Sequence, residues 1–301
     1  MRFAISNLIL DLSAKKFVLL SSRFSNNQKL KGMKTISNLI LKSGFILLAF
    51  LLTTTGCKKE DEPAPDLPPQ SSFVMDFSDF SSPNDTLSSR DMSTYQNWGH
   101  SYANVVVWQA ILTVGLAVPV ASFVESFNHE AVYHPDQNNW TWSYNVTVNF
   151  AVYEAELTGY LQADSVVWEM RITKGAEYAD FLWYYGKSAF NGSGGYWVLQ
   201  ENPANANPML RINWHKYTDG TADISYTNIR PGDNENGGYI FYGTAMTDFN
   251  RFYNIYNKGQ DNLINIEWSS VNINGHVKDP HHFGNGEWHC WDTNLMDMLC
   301  P

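Results

Sequence analysis

The chain has 301 residues, 44% of them hydrophobic and 15% aromatic, with 20 basic against 30 acidic side chains and a net charge of −10. That balance argues against nucleic acid or an anionic lipid face as the main partner, because phosphate binding draws on clustered Lys and Arg. In chain order the first feature is residues 33–57. Lys34 and Lys42 give a basic start, residues 45–52 (FILLAFLL) a short apolar run, and Thr54, Thr55 and Gly56 a small-residue approach to Cys57.

This arrangement resembles the type II signal peptide of bacterial lipoproteins. The resemblance implies cleavage before Cys57, a diacylglyceryl thioether on its sulfur and a fatty acyl group on the new amino terminus. An uncleaved anchor fits less well, since the apolar run is far shorter than the roughly 20 residues a span needs. A signal of this kind begins at Met33, which would leave residues 1–32 upstream of the true start and residues 33–56 as the signal. Residues 5–10 recur as residues 36–41 (ISNLIL), and two copies make no repeat architecture. Residues 58–62 (KKEDE) resemble the lysine-then-acidic signal that sends certain Gram-negative lipoproteins to the cell surface, which implies the outer membrane as the address. Residues 57–94, with prolines at 63, 65, 68, 69 and 83, read as a flexible tether unable to bury enough apolar surface to order itself. The form starting at Cys57 keeps 12 basic and 29 acidic residues, a net −17. Such a domain should stand off the membrane and leave anchoring to the acyl chains.

Residues 95–301 are enough for one domain. No Asp, Glu, Lys or Arg occurs between Asp91 and Glu125, and this stretch predicts a helix over residues 96–118, apolar nearly all round and therefore buried. Residues 105–124 could also span a membrane by length, although Gly115 and Pro119 interrupt them. Beyond, the period becomes two. Trp140, Trp142, Tyr144, Val146, Val148 and Phe150 alternate with polar residues, and the phase flips near residues 150–152, where a turn or bulge is expected. Further alternating runs follow to residue 291, nine to eleven strands in all, punctuated by Asn191-Gly192, Asp219-Gly220 and Asn236-Gly237. Links this short force antiparallel neighbours. The expectation is a mainly β domain, an antiparallel meander curled into a barrel or half-barrel around the helix. In architecture alone, that resembles lipocalin-like barrels and the half-barrels of lipoprotein carriers.

With Cys57 lipidated, Cys290 and Cys300 remain as a disulfide pair suited to an oxidising compartment. His276, His281, His282 and His289 gather near the C-terminus and would suit zinc or copper, yet match no standard spacing, so no cofactor is expected. His129 and His134 miss the zinc-protease helix signature by one position. Glu154 and Glu156 project from one face of a strand, as a glycosidase pair or as an ordinary wet face. Asp233 to Gly237 offers oxygens without the alternation of a calcium loop. Trp183, Tyr184 and Tyr185 are adjacent on a strand, so alternation should turn at least one ring outward toward a ligand. These features suggest a non-enzymatic, lipid-anchored envelope module for a carbohydrate or apolar ligand, or for an envelope-protein partner. A structural or assembly subunit is the alternative. A hydrolase comes third, because no nucleophile constellation or phosphate loop is recognisable.

Overall fold

The structure, a computed structural model, describes residues 63–80 and 94–301. Cys57, the signal-like segment and residues 58–62 lie outside the described residues. Among the described residues fourteen strands form one antiparallel sheet in which every strand pairs with its neighbours in the chain. They are β1 (Val132–His134), β2 (Asn139–Val148), β3 (Ala151–Leu161), β4 (Ser165–Lys174), β5 (Tyr178–Ala189), β6 (Gly194–Asn202) and β7 (Asn205–Lys216). The meander continues through β8 (Ala222–Asn228), β9 (Tyr239–Thr244), β10 (Arg251–Asn257), β11 (Asn262–Trp268), β12 (Gly275–Lys278), β13 (His289–Trp291) and β14 (Asp297–Met298). The phase flip after β2 is a two-residue turn: Asn149 and Phe150 both take left-handed φ, +49° and +65°, which matches the twist of the flanking strands. Gly192 and Gly220 supply positive φ in the β5–β6 and β7–β8 turns, as their dipeptides predicted.

The sheet is not closed into a barrel, contrary to one form of the expectation. β1 pairs only with β2 and β14 only with β13, and these end strands, three and two residues long, offer too few ladder bonds to zip to one another. Helices occupy the two ends instead. Helix α1 (Gln96–Gly115) packs on β12, β13 and β14, and helix α2 (Ala117–Glu125) packs on β2. The predicted single helix breaks because Pro119 has no N–H to continue the α1 ladder; placed in the first turn of α2, it gives up nothing. Asp297 on β14 fixes the start of α1, its two carboxylate oxygens accepting from the backbone N–H groups of Gln96 and Asn97 at 3.0 and 2.9 Å.

Nor is α1 buried all round. Trp98, Ser101, Val105 and Leu112 face the protein, whereas Val107, Ile111 and Val114 are 57%, 56% and 80% exposed. No single helix among the described residues is long and apolar enough to cross a membrane; α1 and the helical segment after it satisfy length and composition only as a pair bent by 68°.

Four of the buried indoles in the core are set on glycines. Gly159 opposes Trp168, Gly186 opposes Trp197, Gly195 opposes Trp214 and Gly275 opposes Trp291 in the register of adjacent strands. A large ring on one strand thus lies over the missing side chain of the next, which lets wide residues fill one face of the sheet. The N-terminal segment closes this core. Phe73, fully buried, stacks against Phe123 of α2 at 5.1 Å and lies against Tyr184 and Trp197 at 4.8 and 5.7 Å. The Tyr226 hydroxyl accepts from the Met75 N–H and donates to the Phe73 carbonyl, both at 2.8 Å. Residues 67–80 therefore belong to the domain, although composition marked them as tether. Five of these fourteen residues are Pro or Ser, but Phe73, Met75 and Phe80 carry their burial. At the other end Cys290 and Cys300 are joined, with Cα atoms 5.2 Å apart.

Candidate functional site

The sequence-derived ligand residues are not a surface patch. On β5, Tyr184 is fully buried against Phe73 and Trp197, and burial pushes its hydroxyl well above the ordinary tyrosine range. Trp183 is half-buried with Tyr178 and Phe181 around it at 6.1 and 5.6 Å. Tyr178 is likewise pushed up to about 12, by burial first and then by the neighbouring Tyr153 and Glu177. Tyr185 is half-buried opposite Glu169 and Val198. Alternation is broken on one side of Tyr184 because β5 is bulged: Met170 pairs with Tyr184 and Arg171 with Leu182, so Trp183 is the extra residue and packs against the core beside Tyr184, whereas Tyr185 takes the opposite face and stays partly exposed.

The C-terminal histidines are also dispersed. His276 meets Glu267 at 3.0 Å and stacks on Trp288, His282 stacks on His100 at 3.7 Å, and His289 stacks on Phe283 at 3.7 Å. His281 gives its backbone N–H to Asp279, the N-cap of the short helix α3 (Pro280–Phe283). Among the described residues no group of three or more His, Cys, Asp or Glu is placed to hold a metal ion. The rings of His276, His282 and His289 each have their own aromatic or carboxylate partner. Asp279 itself is buried against His100 at 2.8 Å; burial opposes its charge, but hydrogen bonds from Asn262, His100 and His282 outweigh that and hold its carboxyl below the usual range. His100 is lowered by burial, partly offset by that carboxylate.

The remaining candidates have structural partners or open surroundings. His129 pairs with Glu125 and stacks on Tyr144, while His134 is exposed at the end of β1. Glu154 and Glu156 lie across from Asn145 and Ser143 in a shallow polar trough of about 440 Å³ with Arg171 and Asp180. The Asp233 carboxylate accepts from the Glu235 N–H and from Asn228, which fixes the turn and holds the carboxyl below its ordinary range.

A larger cleft, about 740 Å³, opens where the N-terminal segment crosses the ends of two hairpins. One wall is Leu67, Pro69, Val74 and Met75; the other is the β5–β6 turn with Phe190 and Asn191 and the β7–β8 turn with Tyr217. Trp214, Ile224 and Tyr242 also line it. Phe190 and Tyr217 are 47% and 49% exposed, so two ring faces border the opening. The Tyr217 hydroxyl donates to Asp223 Oδ2 at 2.6 Å, and His215 Nδ1 meets Oδ1 of the same carboxylate at 2.9 Å. That hydrogen bond raises the Tyr217 pKa and fixes its ring. The Trp214 indole N–H, sealed from solvent, finds no acceptor among the described residues, an omission a packed core seldom leaves. The size is that of a small-molecule site, mostly apolar with a few oriented polar groups.

The chain matches no family model, curated protein or solved structure. The reading of the cleft therefore rests on its chemistry. Sequence reasoning marked Asn191-Gly192 and Asp219-Gly220 only as turns. The overlooked signal was the aromatic residue just before each turn, Phe190 and Tyr217, at positions where strand ends commonly turn polar.

Proposed function

We propose that this is a lipid-anchored protein of the cell envelope, sent to the outer face of the outer membrane, whose domain binds carbohydrate in the cleft between residues 66–76 and the β5–β6 and β7–β8 turns. The observation that carries the reading is the pair of half-exposed rings, Phe190 and Tyr217, bordering a cleft that also holds Asp223, Asn191 and Ser193. Sugar rings offer C–H faces to aromatic surfaces and hydroxyls to carboxylates and amides, and this border supplies both. A purely apolar ligand would leave those polar groups unpaired on binding. The open sheet fits a half-barrel, and its interior is filled by aliphatic and aromatic side chains, so a ligand belongs at the rim. The same filled interior supports the second reading, an assembly subunit without a small ligand.

Tyr217→Ala separates the two. With soluble envelope polysaccharides as ligands in isothermal titration, the replacement should weaken binding about tenfold or more and leave the melting temperature nearly unchanged, because a half-exposed ring contributes little to stability. No saturable binding by the wild type, or equal binding by the variant, removes the carbohydrate reading and leaves the subunit.

Anchoring is tested separately. Cys57→Ala should move the protein from the membrane to the soluble fraction, since stable attachment depends on its acyl chains. Retention in membranes washed with carbonate would end the lipoprotein reading.

A further inference from the structure

A second concavity, of about 500 Å³, lies between the exposed side of α1 and the rim of β7–β10. Its helix wall includes Val107, Ile111 and Leu116, and its sheet wall includes Met209 and Leu210. The polar end is formed by Arg230, Asp233 and Glu235. Exposed aliphatic side chains four apart on one helix face, fronting a groove with a second wall, are a site for an apolar group.

Charge narrows the class further. Among the described residues Arg230 is the only basic one lining the groove, and it is already paired with Glu201 at 3.2 Å and Asp233 at 3.8 Å. With Asp233 and Glu235 at the same end, the lining carries a net negative charge, which repels a free carboxylate or an anionic bilayer surface. The Arg230 Nε–H, sealed from solvent and without an acceptor among the described residues, leaves one donor at that end that a neutral oxygen would suit. We propose that this groove binds a single alkyl or acyl chain of an uncharged amphiphile, such as a fatty alcohol or monoacylglycerol. The site is separate from the carbohydrate cleft and does not depend on it.

The test uses the purified full chain in detergent-free buffer with the neutral fluorophore N-phenyl-1-naphthylamine. Saturable fluorescence enhancement is expected, with displacement by dodecanol and monolaurin and displacement by laurate about tenfold weaker. Ile111→Asp and, independently, Val107→Asp should each weaken the probe about tenfold or more while thermal unfolding is preserved, because both side chains are exposed. Tyr217→Ala should leave probe binding unchanged, which distinguishes a failure here from a failure of the cleft reading. The proposal is overturned by non-saturable fluorescence, by probe affinity unaltered in both aspartate variants, or by laurate displacing as well as dodecanol. It is equally overturned if the aspartate variants abolish sedimentation with phosphatidylcholine vesicles, or a dimer, while the wild type binds no probe. Those results would make the helix face a membrane or self-association surface.

Discussion

Gly186→Ala should lower the unfolding free energy by about 3 kcal/mol and the melting temperature by roughly 6 °C or more, although it adds one methyl group. A Cβ at this position would meet the Tyr196 carbonyl oxygen and the Trp197 ring at contact distances no real Cβ shows. The carbonyl belongs to the β5–β6 ladder and cannot move without breaking it. The indole is fully buried against Phe73 and Phe123, so it has little room to give way. The contrasting replacement is Gly115→Ala at the end of α1, where an added Cβ meets nothing within 4 Å. There the change should be neutral or stabilise by about 0.5–1 kcal/mol, since alanine loses less backbone entropy than glycine in a helix. Chemical denaturation of the two variants checks the pairing of indoles with glycines as the principle of this core. Equal stability of Gly186→Ala and the wild type would mean that the sheet yields where the ladder says it cannot.

The meander was legible because alternation and short turns are local. Trp140 to Val148 needed only their own spacing to become β2, and Asn191-Gly192 needed only its own φ preference to become a hairpin. Closure was not legible, because it depends on whether β1 and β14 can reach one another, and that is set by end strands too short to read as strands. The burial of α1 was misjudged for a related reason. A helix that is apolar on every side carries no marker for which side is covered, and the exposed row of Val107, Ile111 and Val114 is no less apolar than the covered one.

For the candidate site the failure of alternation is instructive. Trp183 and Tyr184 are consecutive, yet both pack against the core, because a bulge inserts one residue between the Met170 and Arg171 pairs. Bulges follow from the partner strand, so a single strand's pattern does not reveal them. The cleft was hidden for a different reason: its walls are a proline-rich segment and two turns more than 100 residues apart in sequence. The packing of Phe73 and the two bonds of the Tyr226 hydroxyl bring them together.

Phe73→Ala tests that packing and, with it, the cleft. A fully buried phenylalanine truncated to alanine costs about 3–5 kcal/mol when the surroundings stay in place. Here the surroundings have an alternative. The segment from residue 67 to residue 80 is held by the Phe73 ring, by the two bonds of the Tyr226 hydroxyl and by the buried Phe80 ring, so losing the Phe73 ring should release the part around it before the sheet unfolds. The expected result is rapid amide exchange at Phe73 and Met75, whose N–H groups are bonded in the wild type, with slow exchange retained in β4, β5 and β6. Carbohydrate binding should fall at least as far as in Tyr217→Ala, because one wall of the cleft is then missing. Tyr226→Phe should go part of the way, since it leaves the Met75 N–H and the Phe73 carbonyl without their shared partner, a penalty of about 1–3 kcal/mol for each buried group. Truncating a buried aromatic ring in a domain of this size should lower the melting temperature by well over about 2 °C. If Phe73→Ala instead stays within that margin of the wild type and keeps residues 67–80 protected, the segment is not held by this ring. The cleft would then owe its shape to the hairpin turns alone.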